Sequence, residues 1–288
     1  MKNVKISVLI PVYNAEETLK ECLISILNQT YENYEIIVVD NNSTDKTKKI
    51  IGEFIGGNAK IKYIFEEKRG RGRARNAGIK YATGEIITMI DADCIAQENW
   101  ISEIIKPILE HGEQVIMGGE KDVINSFWTK NIQIANQNLV KKNLKGNHVG
   151  HLDTKNFAIR ADLIKKMMFD ENIGNMEDFE LYLRLKKDKK IFFLPNLNVE
   201  HKHKESFEKW FELQIDRGYW VYRIYQKHKN EKDSKKEPMF KNFSIINWIK
   251  FPFWTIVQFI KKPVGEASFL IISDLGWKIG IIKGLILQ

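Results

Sequence analysis

The sequence predicts an α/β fold in which a mostly parallel sheet is flanked by helices. Short β-branched apolar runs alternate with stretches of about 15 residues that have helical periodicity. The run Ile36-Ile37-Val38-Val39 is continuously apolar, which is typical of a parallel strand buried on both faces. Polar residues follow four successive runs, and ligands of such sheets bind at the carboxyl ends of the strands.

The individual elements are predicted in chain order. The strands of the first half are expected at residues 6–12, 35–40, 61–65, 86–90 and 114–118. The first helix is expected to begin near Asn14, with Asn14 as its N-cap and Glu17 three residues later. After Gly119 we expect helices over 126–144, 177–187 and 206–227, an extended segment over 156–160, and a strand over 191–194 that ends at Pro195.

The composition is that of a globular protein. Of 288 residues, 43% are hydrophobic and 28% are charged, which excludes a disordered or collagen-like chain. Cys22 and Cys94 are too few for a disulfide scaffold and contain no Cys-x-x-Cys pattern, so a reducing compartment is expected. Residues 1–8 run directly into the first predicted strand without a signal-peptide pattern, and we therefore expect a cytoplasmic protein.

The positive charge is concentrated in the last third of the chain. The net charge is +8, and from His201 onward there are 16 Lys and Arg against 9 Asp and Glu. A nearly neutral body with a basic, aromatic-rich end favours an anionic membrane surface over nucleic acid as a partner. A solvated loop over 227–241 is the alternative. The predicted organisation is a catalytic domain over 1–228, a basic linker or loop over 229–242, and amphipathic helices over 243–288.

The C-terminal apolar segment is interrupted by polar residues. Asn247 and Lys250 fall within residues 243–260, so the segment is shorter than the roughly 20 apolar residues of a membrane span. Tryptophans beside lysines instead favour helices that lie in a membrane interface. Packing onto the catalytic domain or a second subunit, and a true span, are the alternatives.

Two motifs carry recognisable chemistry. Asp91-Ala92-Asp93 follows an apolar run, and two hard oxygen ligands there suit Mg²⁺ or Mn²⁺ shared with a diphosphate. The alternative is a turn in which Asp93 caps a helix beginning near Glu98. Residues 69–78 place four arginines among small residues but lack the third glycine of the dinucleotide fingerprint. Arginines that open a helix favour an anionic ligand.

Five segments together resemble the family 2 glycosyltransferases, which have the GT-A fold. They are SVLIPVYN at 7–14, NQTY at 28–31, VVDNNSTD at 38–45, RNAG at 75–78 and DAD at 91–93. The resemblance covers residues 5–120 strongly and 150–220 more loosely. It implies an inverting enzyme that uses a nucleotide-sugar donor.

The resemblance also implies a role for individual residues. Asp40 would read a uracil or thymine base, so that the donor is UDP- or dTDP-linked. Asp93 and His201 would hold the Mn²⁺ or Mg²⁺ cofactor, and Asp178 would be the catalytic general base. The other residues implied to bind substrate or nucleotide are Pro11, Tyr13, Glu17, Asn42, Arg73, Arg75, Asn76, Asp91 and Glu177.

A general base at Asp178 has a physical rationale. Inverting transfer requires the acceptor hydroxyl to lose its proton as it attacks the anomeric carbon. The neighbouring charge of Glu177 would raise the pKa of Asp178. The alternative is that both carboxylates only complement the helix dipole. A zinc site at His201 and His203 is disfavoured because no third ligand stands at metal spacing. A histidine without a metal role is the other alternative for His201.

The acceptor is expected to be a lipid-linked or cell-surface glycan, handled peripherally at the inner face of the cell membrane. No nucleic-acid partner is expected, and the sequence indicates no oligomeric state. One alternative is a sugar-phosphate nucleotidyltransferase, which would carry a glycine-rich loop where PVYN stands at 11–14. The other is a non-catalytic module that binds nucleotide or membrane.

Overall fold

The structure, a computed structural model, describes residues 3–123, 126–202, 207–231, 237–243 and 245–287. The chain divides into two units. The first is Met1–Val123 with Ala135–His203, and the second is Ile124–Ile134 with Lys204–Gln288. This division differs from the predicted boundary at 228, because the long aromatic helix belongs with the C-terminal helices.

The strands of the first unit are β1 (Ile6–Val12), β2 (Tyr34–Asp40), β3 (Ile61–Phe65), β4 (Ile86–Ile90), β5 (Cys94–Ile95), β6 (Val115–Asp122), β7 (Leu144–Lys145), β8 (His148–Val149), β9 (Asn156–Arg160) and β10 (Ile191–His201). Its helices are α1 (Leu19–Leu27), α2 (Thr47–Ile55), α3 (Arg71–Tyr81), α4 (Trp100–His111), α6 (Ala161–Met167) and α7 (Glu177–Leu185). The helix α5 (Phe127–Asn143) contains the division between the units.

The described strands form one sheet in the order β3-β2-β1-β4-β9-β6-β10-β8-β7, with β5 paired to β10. The pairs β3–β2, β2–β1, β1–β4 and β6–β10 are parallel. Strand β9 runs antiparallel to both of its neighbours. The chain turns from one direction of strand order to the other at β1, and the carboxyl ends of β1, β2 and β4 therefore meet at one edge. The predicted α/β class with a mostly parallel, helix-flanked sheet is confirmed.

The sheet separates two hydrophobic cores. On one face, strand residues such as Val8 and Ile36 pack with Trp100 of α4. On the other face, Leu9 and Phe157 pack with residues of α3, α6 and α7. Because successive strand side chains point to opposite faces, the fully apolar strands supply both cores at once.

The largest errors in the predicted boundaries are at α1 and β10. Helix α1 begins at Leu19, because Asn14 has a left-handed backbone (φ 47°) and binds the loop after β2: its side-chain oxygen accepts the Thr44 N–H at 2.8 Å. Strand β10 continues through Pro195 to His201, because a register irregularity between Leu194 and Asn198 accommodates the proline.

The helices of the second unit are α8 (Phe207–His228), a 3₁₀ helix (Pro238–Phe243), α9 (Ile245–Ile249), α10 (Phe251–Lys261) and α11 (Val264–Ile286). The 3₁₀ helix occupies part of the predicted linker over 229–242, of which residues 232–236 lie outside the described residues. Among the described residues, no helix combines the length and apolarity needed to cross a membrane.

Helices α8 and α11 approach closely because glycines line their contact. Gly276, Gly280 and Gly284 recur every four residues on α11. A methyl group on Gly276 would lie 2.8 Å from the Gln214 Cβ, and one on Gly284 would lie 2.7 Å from the Tyr222 ring. The two backbones can therefore pack together only where α11 has no side chain.

Replacing Gly280 with Ala is expected to destabilise the protein. The added Cβ would overlap the Ile215 carbonyl oxygen and lie 2.6 Å from the Tyr219 nitrogen, so the helices would have to separate. We expect a loss of about 1–3 kcal/mol in the free energy of unfolding, measured by denaturant titration. Gly52→Ala on α2 is the matched control: its Cβ meets nothing within 4 Å, and about 0.5–1 kcal/mol of stabilisation is expected. A neutral Gly280→Ala would contradict the packing described.

Candidate active site

The loops after β1 and β2 form the first part of the site. Val12 pairs with Asp40 in register, and Tyr13 follows directly at the sheet edge. Asp40 is fully buried; its carboxylate accepts the Ser43 N–H at 3.0 Å and the Tyr63 hydroxyl at 3.2 Å. Burial and the charge of Asp40 raise the pKa of Tyr63 to about 12, so this hydroxyl remains a donor.

Exposed aromatic and basic side chains follow β1 and β3 in this part of the site. Tyr13 is 46% exposed, and the Arg69 guanidinium lies over its ring at 4.5 Å. Asn42 has a left-handed backbone (φ 61°), and its amide donates to the Glu67 carbonyl at 3.0 Å. Pro11 is half-buried in β1. The nucleotide-binding roles predicted for Asp40, Tyr13, Asn42 and Pro11 remain predictions.

Glu17 is also predicted to bind the nucleotide. It is exposed in the turn before α1 and lines a shallow surface depression with Lys46 and Lys49. Neither Asp40 nor Asp91 lines that depression. The nucleotide-binding role predicted for Glu17 remains a prediction.

Arg75 links the end of β4 to the start of α7. Its buried guanidinium donates to Glu177 at 2.6 Å and to Asp91 at 3.1 Å. The Phe169 ring lies 5.7 Å from the guanidinium carbon and covers it. Burial raises the pKa of Asp91, as does the charge of Asp93, while Arg75 opposes the rise. Asp91 lies 16 residues and Glu177 lies 102 residues further along the chain than Arg75. The two contacts therefore bring two of the predicted motifs to a single side chain.

Arg73 and Asn76 fasten the segment between α6 and α7 onto α3. Arg73 pairs with Glu171 at 2.8 Å. The Asn76 amide donates to the Phe169 carbonyl at 2.9 Å and accepts the Phe169 N–H at 2.8 Å. Since this segment leads directly into Glu177, both residues help to set where α7 begins. The donor contacts predicted for them remain a prediction.

His201 stands among carboxylates beside Asp93. The register of β5 with β10 pairs His201 with Cys94, which brings its Nε2 to 3.4 Å from Asp93. Its Nδ1 lies 3.4 Å from Glu120 and 3.5 Å from Asp122. Burial alone would lower the pKa of His201, but the three acceptors outweigh it and raise the pKa to about 11. Asp93 therefore contacts His201 and does not cap helix α4, which has Asn99 at its N-cap.

Lys155 connects this cluster to the acidic groups near α7. Its ammonium group bonds to Glu120 and, at 2.6 Å, to Asp153. Burial by itself would raise the pKa of Glu120, but Lys155 and His201 lower it to about 2. Glu120, Asp122 and Asp153 were not among the predicted site residues, although the acidic residues at alternate positions at the end of β6 were a usable signal for the first two.

Asp178 is the second residue of α7 and is half-buried. Burial, together with the charges of Glu177 and Asp153, raises the pKa of Asp178 from 3.8 to about 7, and Arg75 opposes the rise. Arg75 and Asp153 also act on Asp91. Asp178 and the Asp-x-Asp pair therefore share one electrostatic environment. A carboxyl group with a pKa near neutrality can accept a proton at physiological pH.

The side chains fit a divalent cation. Ligand atoms of Asp93, Cys94 and His201, and those of Glu120, Asp122 and His201, lie within 4.8 Å of one another, and His203 lies outside the described residues. Burial raises the pKa of the Cys94 thiol well above its usual value, which disfavours the thiolate and leaves the carboxylates and the imidazole as donors. Oxygen and imidazole donors suit Mn²⁺ or Mg²⁺ better than a soft metal. Within the described residues, the cluster has more acidic than basic side chains and is strongly negative. Its three cationic side chains are Arg75, Lys155 and His201. They contact or face seven carboxyl groups, which are Asp91, Asp93, Glu120, Asp122, Asp153, Glu177 and Asp178.

A mostly parallel α/β sheet with an Asp-x-Asp pair and a second acidic cluster at its carboxyl edge defines the GT-A class. In agreement, the structure matches a mannosyltransferase, PcManGT from Pyrobaculum calidifontis in complex with GDP-Man and Mn²⁺, with a TM-score of 0.72 at 16% identity over 97% of this chain and 86% of that one. It also matches S. aureus TarS 1-349 in complex with UDP-GlcNAc, with a TM-score of 0.58 at 18% identity over 99% of this chain and 92% of that one.

The chain belongs to glycosyl transferase family 2, whose sequence profile matches residues 7–168. It is 33% identical over 175 residues to the glycosyltransferase GlyG of Streptococcus pneumoniae serotype 4, covering 58% of each protein. It is 31% identical over 193 residues to the UDP-Glc:alpha-D-GlcNAc-diphosphoundecaprenol beta-1,3-glucosyltransferase WfgD of Escherichia coli, covering 66% of this chain and 73% of WfgD. The match to GlyA of the same Streptococcus spans only 16% of GlyA, at 39% identity over 40% of this chain.

Proposed function

We propose that this protein is an inverting glycosyltransferase that moves a sugar from a UDP- or dTDP-linked donor to a hydroxyl group of a lipid-linked or cell-surface glycan. Asp178 is the general base, and a divalent metal is bound at Asp93 and His201, with the imidazole releasing its proton as the metal binds. The observation that carries the proposal is the Arg75 guanidinium, which bonds to Asp91 at 3.1 Å and to Glu177 at 2.6 Å. This bridge supports a single site for the donor-side aspartates and the base-bearing helix.

The reaction is a single displacement. The acceptor oxygen forms a bond to the anomeric carbon while the bond from that carbon to the diphosphate oxygen breaks, and the bonding electrons leave with the nucleoside diphosphate. Asp178 takes the acceptor proton, which its pKa of about 7 permits near neutral pH. A bound divalent cation supplies positive charge to the departing diphosphate.

The remaining side chains bind and orient. Arg75 holds Glu177 and so fixes the first turn of α7, on which Asp178 lies. Asp40, which pairs in register with the residue before Tyr13, accepts the ring N–H of uracil or thymine, as the family resemblance implies. The name of WfgD supports this kind of donor and acceptor: it uses UDP-Glc and a diphosphoundecaprenol-linked sugar.

We place the reaction at the inner face of the cell membrane. The WfgD acceptor is lipid-linked, and the basic, aromatic-rich C-terminal helices of this chain suit an anionic surface. A lipid-linked acceptor holds its reacting hydroxyl close to the lipid headgroups. An enzyme bound to the same surface therefore encounters this substrate by diffusion along the membrane.

A thermal-shift panel tests the proposal. The full chain is melted with UDP, dTDP or GDP, each with and without Mn²⁺. We expect the largest rise in melting temperature with a uridine or thymidine nucleotide, and only when Mn²⁺ is present, because a cation held at Asp93 would offset the negative charge that the cluster presents to the diphosphate. Asp40→Asn should reduce the preference for uridine over guanosine, and Asp188→Asn on the surface should not. No response to any nucleotide would contradict the proposed function, while preference for GDP would contradict only the role of Asp40.

A further inference from the structure

Helix α10 has an apolar face that nothing in the described chain covers. None of its residues is buried. Phe253, Ile256 and Ile260 are spaced by three and four residues, so they lie on one side of the helix, and Phe253 is 70% and Ile260 77% exposed. Three large side chains aligned in water are costly for a short helix, which indicates that this side is covered in the working protein.

Helix α11 continues this pattern. Leu275, Ile279, Ile282 and Ile286 are exposed and recur at helical spacing. Its glycine-lined side packs against α8, as described above, so the helix is held by one side and presents an apolar row on another. Helices α10 and α11 also contact each other within the second unit.

Unpaired positive charge borders the apolar row of α10. Lys250 precedes the helix and Lys261 ends it; both are exposed, and neither forms an ion pair within the described residues. The acidic residues of these two helices are already neutralised: Glu266 pairs with Lys262, and Asp274 pairs with Lys278 at 2.6 Å. The surface therefore combines apolar side chains with free positive charge.

We propose that α10 and the outward row of α11 bind an anionic lipid bilayer, lying in its interface with the apolar side chains among the acyl chains and the lysines at the headgroups. A second copy of the chain fits less well, because an isologous contact would place Lys250 and Lys261 opposite lysines of the same kind with no free carboxylate between them. The membrane contact rests on these helices alone; only its service to a lipid-linked acceptor rests on the proposed function.

Vesicle flotation of the full chain tests the contact without any measurement of catalysis. The vesicles are phosphatidylcholine alone or phosphatidylcholine with about one third phosphatidylglycerol. We expect recovery with the anionic vesicles and little with the neutral ones, since each lysine at an anionic surface contributes roughly fivefold to partitioning. Lys250→Gln with Lys261→Gln should weaken binding by about 25-fold on that basis.

Apolar variants separate insertion from charge attraction. Phe253→Ser with Ile260→Ser should reduce flotation by about tenfold or more, and because both side chains are mostly exposed, melting temperature should not fall. Tyr81→Ser with Ile55→Ser removes one aromatic and one isoleucine side chain exposed on the first unit and should leave flotation unchanged. Equal flotation of all variants would overturn the proposal. So would a stable dimer, measured by light scattering, that the Phe253 and Ile260 substitutions dissociate while vesicle binding is absent.

Discussion

Replacing Asp178 with Asn is expected to reduce sugar transfer by about 100- to 10,000-fold, because the acceptor hydroxyl then loses the group that takes its proton. Binding of the nucleoside diphosphate with Mn²⁺ should be unchanged, since the proposed base and metal contacts at Asp40, Asp93 and His201 lie on other elements. Steady-state rates measure the first effect and calorimetric titration measures the second. Asp188→Asn, just beyond the same helix, is the matched control and should transfer at the wild-type rate.

The pH dependence gives an independent readout of the same residue. With a pKa of about 7, Asp178 is protonated in acid, so transfer should rise with pH and level off above about 8. The raised pKa also means that the folded chain binds this proton more tightly than the unfolded chain does. The contribution of Asp178 to stability is therefore lost as pH rises from about 4 to about 7, and Asp178→Asn should show a smaller loss across that range. A flat rate profile between about pH 6 and 8 would count against Asp178 as the base.

Replacing Asp93 with Asn is expected to remove the Mn²⁺ dependence of nucleotide binding and to lower transfer by roughly 100-fold or more, because a metal at a leaving group is worth several kcal/mol. Titration of UDP with and without Mn²⁺ measures the first effect. Asp162→Asn, an exposed aspartate that pairs with Arg160, is the control for loss of one negative charge.

The result must be separated from loss of structure. Asp93 contacts His201 at 3.4 Å, so its substitution also removes a partner of a buried imidazole. Circular dichroism and the metal-free melting temperature report this change directly. Wild-type metal dependence in a folded Asp93→Asn protein would contradict the assigned ligand.

Local pattern was sufficient for most of the sheet. Strands β3, β4 and β9 lie at the predicted residues, because each is a compact β-branched or apolar run with polar flanks. The pattern did not predict that β9 runs antiparallel between β4 and β6, since strand direction depends on how distant segments meet. The two-residue strand β5 was also missed, although it aligns His201 with Asp93.

The residues of the candidate site also fall into those that the sequence predicts and those that it does not. Asp91, Asp93 and Asp178 could be predicted because they stand in short motifs at element ends. Asp153 could not, because its place in the cluster depends on its bond to Lys155 in the folded chain, whereas the alternating acidic residues of β6 were a usable signal for Glu120. The close packing of α8 and α11 was visible in the sequence as glycines four residues apart on α11, but the partner helix was not.

We infer that one cavity holds both the metal-bound diphosphate and Asp178, the proposed base. A crystal structure with UDP and Mn²⁺, with the ion located by anomalous scattering, tests it most directly. We expect the ion beside the Asp93 carboxylate, in contact with the diphosphate, and open space for one sugar between the diphosphate and Asp178. An ion bound elsewhere, or a diphosphate separated from Asp178 by packed protein, would contradict the account.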